Sequence, residues 1–152
     1  MIVFTNGCFD ILHRGHLELL EYCSTPKPVK DWREWNHSRR KVIVGLNSDK
    51  SVRRLKGEGR PINNQEDRKY ILESLKFVDE VIIFEEDTPR ELIEKINPDL
   101  IVKGRSSLPK AEETEGYQLE AFDHVGEYST TNIIKNNLND LPKGFYEGDI
   151  TK

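Results

Sequence analysis

The stretch Val3-Phe4-Thr5-Asn6-Gly7-Cys8-Phe9-Asp10-Ile11-Leu12-His13-Arg14-Gly15-His16 decides how the rest of the chain reads. A short apolar run ends in a glycine turn, and two histidines three apart open an amphipathic segment over residues 17–23. Strand, turn and helix start in this order form a place where anions bind. The first N–H groups of a helix have no internal partner, and its dipole is positive at that end. Two imidazoles beside such a junction suit a reaction in which negative charge builds up on phosphate oxygens. Gly15 between them has no side chain, so a phosphate can approach the backbone closely.

Working outward, the apolar runs 2–5, 42–46, 80–84, 100–103 and 119–122 read as buried strands, with helical patterns between most of them. Alternation of this kind predicts α/β architecture: a Rossmann-like, doubly wound parallel sheet of about five strands with helices on both faces. Ligands of such sheets bind beyond the carboxyl ends of the strands. Here those ends carry Asn6-Gly7, Asn47-Ser48-Asp49 and Lys103-Gly104-Arg105.

Helix signals support the same plan. Asn64 is a fitting N-cap, followed by Glu66 and Asp67 in the first turn. Ile71, Leu72 and Leu75 form that helix's apolar stripe, and Arg68 shares their face. An arginine on an inward stripe must meet an anion or a carboxylate, because it is rarely buried unpaired. Pro89 opens the next helix at its favoured first position, and Asn97-Pro98 stops it. Ser129 to Asn132 supply a hydroxyl-capped start for a last helix.

The chain has 152 residues, 33% charged and 36% hydrophobic, with a net charge of −4. That length predicts one domain over residues 1–140, with an insertion at 24–41 and a C-terminal arm at 141–152. The insertion holds Trp32 and Trp35, three apart, which fit one face of a short helix. Residues 24–69 carry 13 Lys or Arg against 6 Asp or Glu, a local +7 in an acidic chain. Such a block favours a small anionic ligand over a nucleic-acid track, since its aromatics, Trp32 and Trp35, cluster in the insertion rather than interleave along it. No apolar run reaches the ~20 residues of a membrane span, and the N-terminus lacks the basic start and cleavage site of a signal peptide. Two cysteines, Cys8 and Cys23, make no disulfide framework, so a cytoplasmic location is expected.

His13-Arg14-Gly15-His16 after Gly7-Cys8-Phe9-Asp10 resembles the HxGH signature of the cytidylyltransferase-like nucleotidyltransferases. Further stretches match that family in order: Asn47-Ser48-Asp49, Arg54-Leu55-Lys56-Gly57, Arg60-Pro61-Ile62-Asn63 and Glu66-Asp67-Arg68. Asp87-Thr88-Pro89, Pro98 through Gly104, and Ser129 through Lys135 follow. Together they most resemble the adenylyltransferase half of bifunctional ADP-heptose synthases, with glycerol-3-phosphate cytidylyltransferase a more distant relative.

The resemblance implies transfer of a nucleotidyl group from a nucleoside triphosphate, ATP favoured and CTP the alternative, to a sugar or polyol phosphate, with Mg²⁺ present. It implies catalytic roles for His13, His16, Lys56 and Arg68. It implies nucleotide contacts from Thr5, Asn6, Gly7, Phe9, Asp10, Gly15, Lys103, Gly104, Ser129, Thr130 and Thr131. Relatives are often dimers, so a homodimer is expected, with no nucleic-acid or membrane partner. Two features depart from the pattern. Gly104-Arg105-Ser106-Ser107 stands where the heptose synthases continue with Gly-Asp-Tyr, gaining a cation and losing an acid. The insertion at 24–41 is longer than the relatives' turn. Two other readings compete: a nucleotide-binding module without catalysis, and a zinc site built on the two histidines with His37 or His124.

Overall fold

The computed structural model describes residues 1–25, 31, 33, 37–123, 126 and 129–138, with the backbone alone at 137 and 138. Half of the insertion, including both tryptophans, the 141–152 arm and His124 lie outside the described residues.

Five parallel strands form one sheet: β1 (Ile2–Gly7), β2 (Lys41–Asn47), β3 (Glu80–Phe84), β4 (Leu100–Gly104) and β5 (Leu119–Phe122). Their order is β3-β2-β1-β4-β5. The chain runs outward from β1 to β3, then crosses back to place β4 on the other side of β1. The strand order therefore reverses between β1 and β4, where an α/β sheet opens a crevice for ligands. The register pairs Gly7 with Leu46, and Val3 with Leu100.

Period-2 alternation divides the core into two layers. Val3, Val42, Val44, Leu46, Val81, Leu100 and Val102 face one side, where Leu20, Cys23 and Leu72 cover them. Those covering residues come from α1 (Arg14–Ser24) and α3 (Gln65–Glu73). Phe4, Ile43, Phe84 and Ile101 face the other side and meet Leu92 and Ile93 of α4 (Arg90–Ile96). Helices thus pack on both faces, as the alternating pattern predicts. Among the described residues, no helix is long and apolar enough to cross a membrane.

Local chemistry sets the helix ends that matter for the site. Ser48 caps α2 (Asp49–Lys56) by accepting from the Ser51 N–H at 3.2 Å. Gly57 ends it at a φ of 93°, which a side chain would resist. Asn64 caps α3 by accepting from the Asp67 N–H at 2.9 Å, as its sequence signals predict. Helix α4 begins one residue after Pro89, whose carbonyl accepts from the Ile93 N–H. Asn97 stops it in the left-handed region at a φ of 48°. The segment after β4 makes a 3₁₀ turn (Arg105–Ser107) and a one-turn helix α5 (Ala111–Thr114), and α6 (Thr130–Leu138) follows β5.

Gly45 in β2 has a packing reason. A Cβ there would lie 2.8 Å from Cζ of the fully buried Phe4. Gly45→Ala should lower unfolding free energy by about 1–3 kcal/mol, read from urea denaturation. Gly104→Ala should stay within about 1 kcal/mol of wild type, since its added Cβ meets nothing nearer than Ser107 Oγ at 3.6 Å.

Candidate active site

A cavity of about 680 Å³ lies beyond the carboxyl ends of the strands. Its centre is the loop from β1 to α1. Phe9 adopts a φ of 44° there, an uncommon conformation for a bulky residue. This kink turns the Phe9 ring under the loop, 5.1 Å from the His16 ring. Gly7 is small for the same reason: a Cβ at Gly7 would meet the Phe9 ring at 3.2 Å. Space for Phe9 is thus one reason for this glycine, beside the close phosphate approach expected of it.

His13 precedes the first residue of α1, and His16 sits in its first turn. Their rings stack with centroids 3.8 Å apart and planes 21° from parallel. The His13 backbone N–H points at His16 Nδ1 over a long 3.4 Å. An Nδ1 that accepts leaves the ring proton on Nε2, so His16 presents a donor. Gly15 is buried between them and lines the cavity.

Lys103 and Asn6 span the point where strand order reverses. The Lys103 ammonium donates to the Asn6 carbonyl at 2.7 Å and to its Oδ1 at 3.1 Å. Burial pushes the Lys103 pKa down to about 8. Lys56, the last residue of α2, is half-buried in the same cavity wall.

On the far side, α6 brings Ser129, Thr130 and Thr131 to the cavity. Ser129 Oγ accepts from the Asn132 N–H at 3.0 Å, so it caps the helix and keeps its own hydroxyl proton for another acceptor. Thr130 Oγ1 donates to the Ile11 carbonyl at 2.9 Å, which ties α6 to the β1–α1 loop.

Three of the expected site residues, Thr5, Asp10 and Arg68, are buried. Thr5 is fully buried inside the sheet and does not line the cavity. Both Asp10 carboxylate oxygens are engaged: they accept from Arg60 Nε at 3.0 Å and from the Ile62 and Asn63 N–H groups at 2.9 Å. Asp10 lines the cavity but serves first to hold the 60–63 segment against β1. Arg68 meets a carboxylate, as an inward arginine should, but lies outside the cavity lining. Its guanidinium donates to the carbonyls of Cys8, Asn47 and Asn63 and to Asp49 Oδ1, all within 2.8–2.9 Å. With those donors engaged, Arg68 organises the loops around the site.

Arg105, the cation at the departure from the family pattern, pairs with Asp123 at 2.6 Å and stays outside the cavity lining. Ser106 and Ser107 take the cavity positions instead. Burial raises the Cys8 pKa despite Lys56, Arg68 and Arg60 nearby, so its thiol stays protonated and makes a poor nucleophile. Among the described residues, no group of three or more His, Cys, Asp or Glu is placed to hold a metal ion.

Arg60 is the cavity residue that sequence reasoning passed over. It is 3% exposed and lines the wall beside Lys56. It sits in a loop without hydrophobic periodicity, so no pattern in the sequence marked it as inward. Leu55, Asp87, Leu108 and Glu113 also line the cavity without having been singled out.

The cytidylyltransferase-like family profile matches residues 4–139. The chain belongs to the cytidylyltransferase-like family. The bifunctional protein HldE of Campylobacter concisus is 49% identical over 138 residues, covering 88% of this chain and 26% of the relative. HldE of Helicobacter pylori is 44% identical over 138 residues, covering 88% and 27%. HldE of Syntrophotalea carbinolica is 40% identical over 149 residues, covering 94% and 28%. The chain thus spans about a quarter of the length of these curated relatives. The lipopolysaccharide core biosynthesis protein of Thermoplasma volcanium shares the fold, with a TM-score of 0.60 at 23% identity, over 85% of this chain and 98% of that one.

Lys103 gives the site a pH signature. Its charged form is lost as pH rises through about 8, while a free lysine holds its proton to 10.5. Between these values the unfolded chain binds more protons, so this group makes stability rise with pH across that window. A bound polyanion favours the charged form, so binding of pyrophosphate or triphosphate near pH 8.5 should take up a proton and weaken as pH rises further. Calorimetry in buffers of different ionisation enthalpy checks this, and Lys103→Met should abolish the proton uptake.

Proposed function

We propose that this chain is a nucleotidyltransferase. It moves a nucleotidyl group from a nucleoside triphosphate to the phosphate of a sugar or polyol and releases pyrophosphate. The stacked His13–His16 pair at the N-terminus of α1, inside a cavity at the sheet's reversal point, carries this reading. An oxygen of the acceptor phosphate forms a bond to the α-phosphorus. The bond from that phosphorus to the bridging oxygen of the β-phosphate breaks, and its electron pair leaves with pyrophosphate.

Such a reaction needs positioning and charge neutralisation more than covalent help from the protein. His13 and His16 serve as donors to the phosphate oxygens, where charge accumulates. Lys56 and Lys103 add positive charge from either side of the β1–α1 loop. Ser129 and the N–H groups opening α6 suit the outer phosphates. Mg²⁺ would accompany the triphosphate and offset its charge, since among the described residues no group of three or more His, Cys, Asp or Glu is placed to hold it.

ATP is the favoured donor and heptose 1-phosphate the favoured acceptor. The support is the ordered set of motifs shared with the adenylyltransferase half of ADP-heptose synthases, together with the HldE relatives. A homodimer is part of the same proposal, and light scattering on the purified chain tests it.

Pyrophosphate release with Mg²⁺, crossing ATP, CTP, GTP and UTP with sugar 1-phosphates and polyol phosphates, should find one productive pair. Silence across the panel with no nucleotide bound would contradict the proposal. His16→Ala should lower turnover by about 10²–10³-fold while nucleotide affinity changes far less. Equal losses in both would contradict a role in the transition state.

A further inference from the structure

Two arginines of this chain are buried, and they are bonded differently. Arg68 engages Nε, Nη1 and Nη2 with four acceptors. The one hydrogen bond of the Arg60 guanidinium among the described residues runs from Nε to Asp10 Oδ2. Arg60 Nη1 is buried with no partner. Buried polar groups are nearly always satisfied, so an orphaned guanidinium nitrogen asks for an acceptor the protein itself does not supply.

Its location says what kind. Arg60 lines the cavity and Arg68 does not. Asp10 holds the Nε corner, and its second oxygen is engaged by backbone N–H groups of residues 62 and 63. The Nη1–Nη2 edge is therefore left for a second anion, and that edge is the fork that matches two oxygens of a phosphate. Lys56, four residues before it, lines the same cavity. A phosphomonoester dianion is the ligand whose charge and geometry fit this pair.

The sheet order assigns a side. The histidines follow β1; Lys103 lies in β4 on one side of it, and the 56–60 segment follows β2 on the other. In nucleotidyl transfer the attacking and leaving oxygens stand roughly in line on opposite sides of the α-phosphorus. A pyrophosphate leaving on the Lys103 side would leave the β2 side to the attacking group.

We propose that Arg60, with Lys56, holds the attacking phosphate of the acceptor, and that Asp10 is the positioning residue that aims it. This rests on the transfer reaction proposed above. Arg60→Lys keeps the charge and the Asp10 partner but loses the fork. It should raise KM for the sugar phosphate at least tenfold and leave KM for the nucleotide within about threefold. Asp10→Asn should show the same split. An unchanged acceptor KM, or a nucleotide KM that rises as much, would overturn the assignment.

A direct measurement separates this claim from the reaction itself. In ¹⁵N-labelled wild-type protein the Arg60 Nε–H resonance, assigned by its loss in Arg60→Lys, should shift on titration with inorganic phosphate or glucose 1-phosphate. A resonance that stays put while the protein turns over would overturn the role of Arg60 alone. A shift in a protein that releases no pyrophosphate with any pair would uphold the phosphate site and reject the reaction.

Discussion

The structure hangs on one buried side chain. Arg68 donates to the carbonyls of Cys8, at the end of β1, of Asn47, at the end of β2, and of Asn63, just before α3. Three loops that would otherwise move independently are fixed to a single planar group. A guanidinium is suited to this, because its donors are rigidly spaced and it stays charged at any accessible pH. Asp49 supplies the counter-charge at 2.9 Å and is itself half-exposed. Asp10 performs the complementary task by gathering N–H groups from the 62–63 backbone. Between them, the β1–α1 loop that carries the histidines and the segment that carries Lys56 and Arg60 become two walls of one cavity.

Electrostatics then follow from which charges are already balanced. Asp10 is matched by Arg60, and Asp87 by Arg54 at 2.9 Å. Lys103 is held by uncharged acceptors, the carbonyl and side-chain oxygen of Asn6. Its depressed pKa is the energetic signature of a cation kept out of water, which the more distant Glu113 offsets only in part. A polyanion entering the cavity supplies the missing counter-charge. Preorganised positive groups in a water-poor setting are also what a transition state with spreading phosphate charge requires.

Much of this architecture is legible in the chain itself. The strands 80–84 and 119–122 fall where their apolar runs predict, and Asn64 caps α3 as its type and position suggest. Helix α2 escapes a reading by apolar period, since its eight residues include four basic ones and an acid. The arginines show the limit most clearly. Periodicity marks Arg68 as inward but cannot say that three backbone carbonyls wait for it, because those belong to loops remote in sequence. Arg60 carries no periodic signal at all; only the fold brings it to Asp10, fifty residues away. Thr5 shows the same limit: only the fold reveals that it belongs to the strand's buried interior, one residue short of the crevice.

A second depression of about 640 Å³ lies over β2 and β3, lined by Ile43, Ile82, Leu92 and Lys95 among others. It is of similar size but lacks the histidines and the Lys103–Asn6 pair. Amide NMR of the labelled chain, titrated with a non-hydrolysable ATP analogue and Mg²⁺, distinguishes the two sites most directly. Shifts are expected at Gly7, His13, Gly15, His16, Gly104, Thr130 and Thr131, with the amides of Ile82, Leu92 and Lys95 unmoved. Shifts confined to the β2–β3 depression, with the carboxyl ends of β1 and β4 silent, would contradict a nucleotide site at the reversal point of the sheet.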